Sequence, residues 1–284
     1  MRPTTPGGMM ATPGGMMASM HGRAESGDAG GSSSAGLAAG LTAGADDAAV
    51  AEELSAAALT LARRFAAGAT MWCVASQWPS HGRHVAVEFV HPVIVGKRAL
   101  PAVNLDGGDI AGALRLLARP GDAVVAIGPT DAVTLDLMQR AEAWGLTRIW
   151  LGSGARPPFG RAEHLVWIDK AEPALAARSG DVVLLYHLLW ELTHVVFEHP
   201  GLLEPEPACD DEVCITCSDE GRVVEVTAVD EWGSAEVLAG GRIESVDASL
   251  VEGVVAGDLL LVHAGVALTM LRGDVPEDSR DAVR

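Results

Sequence analysis

The chain is expected to fold as an α/β protein with a doubly wound parallel sheet, followed by a small all-β barrel. Between about residues 46 and 200, short and nearly continuous apolar runs alternate with helical stretches. Such strands need cover on both faces, which is the mark of a parallel sheet between helices. Beyond about residue 204 the helical period gives way to short strand-like segments separated by turn residues. Of the 284 residues 49% are hydrophobic, yet only 4 are Phe and 1 is Tyr. Small aliphatic residues in that excess suit helices packed closely on a sheet.

Residues 1–45 are of low complexity, with Thr-Pro-Gly-Gly-Met-Met-Ala at 5–11 and again at 12–18. They offer little large apolar surface to bury and are expected to be a disordered tail. Asp46 and Asp47 can cap a helix reaching about Ala67, with Val50, Leu54, Ala58 and Leu61 on one face. That apolar face asks for a partner, which a second subunit could supply. Strand Thr70–Val74 follows, then helix Gly82–Val90, strand Pro101–Leu105 and helix Asp109–Leu117. Ala123–Ile127 is an apolar strand after a Pro-Gly-Asp turn, and helix Ala132–Trp144 stops at Gly145. Strands Thr147–Leu151 and His164–Ile168 and the long helix Asp181–Glu198 complete the α/β domain at 46–203. Leu202–Glu212, with Pro205 and Pro207, is a linker into a second domain at 204–284. There Arg222–Val229, Ala235–Leu238, Arg242–Val246 and Leu259–His263 read as strands.

A formal net charge of −18 repels phosphate backbones and argues against nucleic acid as a partner. The longest apolar run, Val182–Phe197, is interrupted by His187, Glu191 and His194, so no membrane span is expected. The N-terminus has no charged start leading into an apolar core, and a cytoplasmic location is expected. Cys209, Cys214 and Cys217 crowd together as C-x4-C-x2-C, which suits thiols or metal ligands better than a disulfide framework. A structural zinc there needs a fourth ligand, for which Asp210, Asp211 and His263 are candidates.

Two segments of the C-terminal domain carry a more specific signal. They are Cys214-Ile-Thr-Cys-Ser-Asp-Glu-Gly-Arg-Val-Val-Glu-Val226 and Val255-Ala-Gly-Asp-Leu-Leu-Leu-Val-His263-Ala-Gly-Val-Ala267. Together they resemble the opening and closing strands of the HypC/HupF family of [NiFe]-hydrogenase maturation chaperones, over about residues 209–272. In that family the Cys directly follows the initiator Met and precedes a Pro, whereas Cys214 is internal and Cys-Ser-Asp-Glu stands after Thr216. The resemblance implies that Cys214 and His263 meet at one rim of the barrel. It implies a transient iron carrying CN and CO ligands, a HypD-like scaffold protein and the [NiFe]-hydrogenase large-subunit precursor as partners. Thiolate is a soft ligand for iron and imidazole a compatible second one. The implied function is assembly or delivery of the Fe(CN)2CO unit, with no turnover and no catalytic residue.

Residues 46–200 resemble the sugar-isomerase (SIS) fold in its phosphoheptose-isomerase-like branch. The residues that carry this are Thr70–Val74, the loop Ala75–His81, Arg83-His84-Val-Ala-Val-Glu88, Pro101-Ala-Val-Asn-Leu and Gly121-Asp-Ala-Val-Val-Ala-Ile127. The resemblance implies a possible zinc held by His84, Glu88 and His194, with Tyr186 where that family has Gln and His187 or Glu191 as substitutes. It also implies an anion site using Ser76, Ser80 and Thr130, and a homo-oligomer formed through this domain. The two loops lack the family's Ser/Thr-rich phosphate patterns and contain Trp78, Pro79, Pro129 and Asp131. An altered phosphate site and no isomerisation are therefore expected. The alternative function is a sugar-phosphate isomerase, or a sugar-phosphate sensor, with an accessory β-domain.

Overall fold

The structure, a computed structural model, describes residues 45–169, 176, 180–204 and 221–271. The expected tail before Ala45, the linker after Glu204, and Cys209, Cys214 and Cys217 lie outside the described residues. In chain order the α/β part comprises α1 (Ala45–Ala66), β1 (Met71–Val74), α2 (Pro79–Val90), β2 (Ala102–Leu105) and α3 (Ile110–Leu117). It continues with β3 (Ala123–Ile127), α4 (Ala132–Ala143), β4 (Thr147–Ser153), β5 (His164–Ile168) and α5 (Asp181–Glu198). Strand-by-strand pairing is parallel in the order β2-β1-β3-β4-β5.

Alternation along each strand divides the core in two. Met71 and Cys73 of β1, Val125 and Ile127 of β3, and Ile149 and Leu151 of β4 meet α1, α2 and α5 on one face. Trp72, Val74, Val124, Ala126 and Trp150 meet α3 and α4 on the other. This is the doubly wound architecture expected from the apolar strands. Leu54, Ala58 and Leu61 of α1 are buried in this chain's own core with Leu185 and Leu189 of α5. That face therefore needs no second subunit, and the sequence argument for an oligomer built on it falls away. Helix α2 begins three residues earlier than expected, at Pro79, whose fixed φ suits a first helical position. A short 3-10 turn, Pro200–Leu203, lies where the linker was expected to begin.

The barrel comprises β6 (Arg222–Val229), β7 (Ser234–Ala239), β8 (Arg242–Asp247), β9 (Leu259–His263) and β10 (Val266–Leu271), closed in the order β10-β8-β7-β6-β9. Strand β10 was not read as a strand of its own in the sequence; the two-residue turn before it hides the break from β9. Alternate residues Val224, Val226, Ala235, Val237, Val246, Leu260, Val262 and Ala267 fill the interior. Among the described residues no strand of the barrel joins the parallel sheet. Instead the β7–β8 turn, Gly240–Gly241, docks on the end of α4, where Gly241 N donates to the Ala143 carbonyl at 2.9 Å. Both glycines have positive φ, as a two-residue hairpin turn of this type requires. Leu238 of β7 completes the α3–α4 side of the α/β core. Among the described residues no helix is long and apolar enough to cross a membrane.

Candidate functional site

His263 ends β9 and is half-buried. It pairs with Val266 across a turn made by Ala264 and Gly265. Ala264 is the one non-glycine among the described residues with a positive φ, at 49°. An L-residue in that region costs roughly 1–2 kcal/mol, and such strain concentrates at functional positions. The turn is tied to the end of β8 by Asp247 N donating to the Gly265 carbonyl at 2.9 Å. Cys214, its expected companion, lies outside the described residues.

The second cluster sits where α2 crosses α5. His84 and Glu88 are one turn apart on α2, and His84 Nε2 lies 3.1 Å from Glu88 Oε1. His187 of α5 places its Nε2 3.7 Å from the same oxygen. One ligand atom from each of His84, Glu88 and His187 lies within 4.8 Å of the others. Tyr186 Oη is 2.7 Å from His84 Nδ1, which leaves Nε2 turned toward Glu88. Burial, and then the Glu88 carboxylate, push the Tyr186 phenol up to about 12, so it remains a neutral hydroxyl. A phenol on the far nitrogen orients an imidazole in the manner of an outer-shell partner.

His194 is not in this cluster. It is 2% exposed, with Nδ1 2.8 Å from the Trp190 carbonyl and Nε2 3.0 Å from the Arg98 carbonyl. Both nitrogens face backbone oxygens, away from the cluster formed by His84, Glu88 and His187. The reason is helical pitch: seven residues on from His187, at about 1.5 Å each, His194 lies about 10 Å further along the axis. Tyr186 and His187 are the α5 residues that meet His84 and Glu88 of α2.

Two of the three hydroxyls expected to hold an anion are engaged elsewhere. Ser76 donates to Asp131 Oδ2 at 2.9 Å, and Thr130 donates to the Ala155 carbonyl at 2.6 Å. Ser80 is exposed in the first turn of α2. Asp131 instead caps α4, accepting from Thr134 N at 3.1 Å. A crevice of about 550 Å³ opens at the C-terminal ends of β1 and β2, lined by Ser76, Gln77, Arg83, Asn104 and Asp106. Ligands of open α/β sheets bind at that end, beside the point where strand order reverses. Its guanidinium, Arg83, is already paired with Asp106 at 2.7 Å, so the crevice presents no uncommitted cation to a phosphate.

Fold and geometry thus define a parallel-sheet α/β domain carrying a docked, closed β-barrel. The barrel can be placed more closely: residues 220–282 match the model of the HupF/HypC family. That match supports a connection to hydrogenase maturation. No curated protein matches the chain. Among solved structures, a phosphoheptose isomerase from Francisella tularensis is similar at 15% identity and a TM-score of 0.46, over 53% of this chain and 91% of that one. The phosphoheptose isomerase GmhA from Neisseria gonorrhoeae is similar at 16% identity and a TM-score of 0.43, over 53% of this chain and 90% of that one.

Proposed function

We propose that the protein is a cytoplasmic chaperone of [NiFe]-hydrogenase maturation, which holds an iron with CN and CO ligands as cargo for the large-subunit precursor. A HypD-like scaffold protein is the partner from which that cargo comes. The observation that carries this reading is the family match over a closed barrel whose β9 ends on His263. In this reading Cys214 supplies the thiolate and His263 lies at the same rim; soft sulfur and imidazole suit low-valent iron. The test is complementation in cells that lack their own copy. Cys214→Ala and His263→Ala are expected to leave hydrogenase activity below about a tenth of wild type, the lower end of losses seen when metal-site groups are removed. Cys73→Ser changes a thiol that burial pushes well up and keeps inert; it is expected to affect stability alone. Fully active hydrogenase with Cys214→Ala would remove that residue from the mechanism.

A second, compatible reading gives the α/β domain a divalent ion at His84, Glu88 and His187. Zinc ligands at about 2.0–2.1 Å in tetrahedral array lie about 3.3 Å apart, close to the 3.1 and 3.7 Å found between these atoms. Zinc binding is measured by calorimetry with Cys209, Cys214 and Cys217 replaced by Ser, so that the thiols do not compete. His84→Ala and His187→Ala are each expected to weaken binding more than about tenfold. His194→Asn is expected to leave it unchanged, and loss with His194→Asn but not His187→Ala would reverse the assignment. Heptose-phosphate isomerisation is expected to be undetectable with zinc present, since Asp131 and the paired Arg83 leave the crevice without an anion cradle.

A further inference from the structure

The register of the barrel places His263 at the end that faces the α/β domain. Arg222, the first residue of β6, pairs with Val262, so His263 stands level with the start of that strand. Strand β7 runs antiparallel to β6, with Glu225 opposite Leu238. The start of β6 therefore also lies toward the Gly240–Gly241 turn that docks on α4. The segment that holds Cys214 leads into β6 at this same end.

A cleft of about 210 Å³ opens there between the two halves. Glu142 of α4 lines one side, and Arg222, Arg242 and Glu244 of the barrel line the other. Its charges are unevenly committed. Glu142 is paired with Arg148 at 2.7 Å. Glu244 takes both arms of the Arg222 guanidinium, at 3.2 and 3.0 Å. Arg242 is left over, with no side-chain hydrogen bond or ion pair among the described residues. With Arg148 counted, three arginines stand against two glutamates, in a chain whose formal charge is −18. A positive cleft on so acidic a molecule favours an anion, and a guanidinium offers it several N–H donors fixed in one plane.

The cargo of the maturation reading carries such anions. A cyanide bound to iron through carbon turns a nitrogen lone pair outward, where it accepts a hydrogen bond well; carbon monoxide accepts one poorly. Hydrogen bonds between charged partners are about twice as strong as neutral ones.

We propose that Arg242 donates to a cyanide nitrogen of the iron cargo held at this end of the barrel, inside the cleft that α4 completes. This rests on the maturation reading above. Thiolate and imidazole address the metal, whereas Arg242 addresses its ligand shell and so separates cyanide-bearing iron from bare iron. The docked α/β domain contributes the Glu142 wall, which keeps part of the bulk water from a contact that water would weaken.

The test is infrared spectroscopy of the full chain, loaded with cargo and co-purified with the HypD-like scaffold. The nitrogen lone pair is weakly antibonding in cyanide, so a hydrogen bond there raises the CN stretch. Arg242→Ala is expected to move the CN bands to lower wavenumber and to move the CO band less, at an unchanged urea midpoint. Arg242→Lys is expected to recover part of the shift. Arg64→Ala, on α1 across the sheet, is expected to leave every band in place. Loss of all bands from Arg242→Ala alone, with scaffold binding kept, is the stronger form of the expected result. CN bands at wild-type positions in Arg242→Ala, or an equal shift in Arg64→Ala, overturns the role of Arg242 and leaves the maturation reading standing. A wild-type complex without CN and CO bands overturns both.

Discussion

Replacing Glu225 with Ala is expected to destabilise the protein by about 2–3 kcal/mol and to release the barrel from the α/β domain. Glu225 lies on β6, within the segment that matches the family, and its side chain is 12% exposed. It accepts from Trp144 Nε1 at 2.6 Å, Arg140 Nη1 at 3.2 Å and Arg115 Nε at 3.2 Å. The same Arg140 nitrogen donates to the Gly257 carbonyl at 3.0 Å. Burial pulls the Arg140 guanidinium down, but Asp136 and Glu225 together hold its pKa above the ordinary value. Removing one partner of a fully buried ion pair costs about 3–5 kcal/mol, because the other charge is stranded. The lower figure applies because Arg115 is about half-exposed and regains water. Urea unfolding measures the loss, and limited proteolysis between 204 and 221 reads the release. A shift under about 0.5 kcal/mol, the range of ordinary surface changes, would mean that Leu238 and the Gly240–Gly241 turn hold the barrel without Glu225.

Asp122→Ala is expected to cost about 3–4 kcal/mol, a large share of a typical domain's stability. Asp122 is 6% exposed, just before β3. Its carboxylate accepts from Thr70 N at 2.8 Å, Trp72 Nε1 at 3.0 Å and Arg119 N at 2.9 Å. Alanine would leave three donors without acceptors where water has little access, each costing about 1–3 kcal/mol before the site relaxes. Asp122→Asn keeps one oxygen and turns an amide toward the remaining donors, so an intermediate loss is expected. Thermal and urea unfolding of the two variants give the comparison, and a loss below about 1 kcal/mol for Asp122→Ala would show that water reaches those donors.

The regular elements were legible because each follows from local pattern. Ala-Val-Val-Ala-Ile at 123–127 has no polar position, so it had to be a strand covered on both faces. The acidic residue Asp109 ahead of a largely apolar octet marks the start of α3, and its side chain does accept from Gly112 N at 2.8 Å. Strand β10 was missed because Ala264 and Gly265 occupy just two residues, and a turn that short leaves little compositional trace. The candidate ion site was half legible. His84 and Glu88, four apart on one helix, fall on one face by the helical period. Which histidine of α5 joins them was not readable, because His187 and His194 lie on the same face of that helix.

By itself, then, the sequence determined the kinds of element, the break between α/β and all-β halves, and the paired motifs at the two ends of the barrel. Periodicity and turn chemistry act within a few residues, so they can be read along the chain. The tertiary structure alone decided that α2 crosses α5 at Tyr186 and His187 and that His194 is consumed by carbonyls. It decided also that Glu225, an unremarkable polar residue in a strand, is the main polar tie between the two halves. Those outcomes depend on where helices cross and surfaces meet, between residues as much as 110 positions apart. No local period encodes that; the packing of the whole core does.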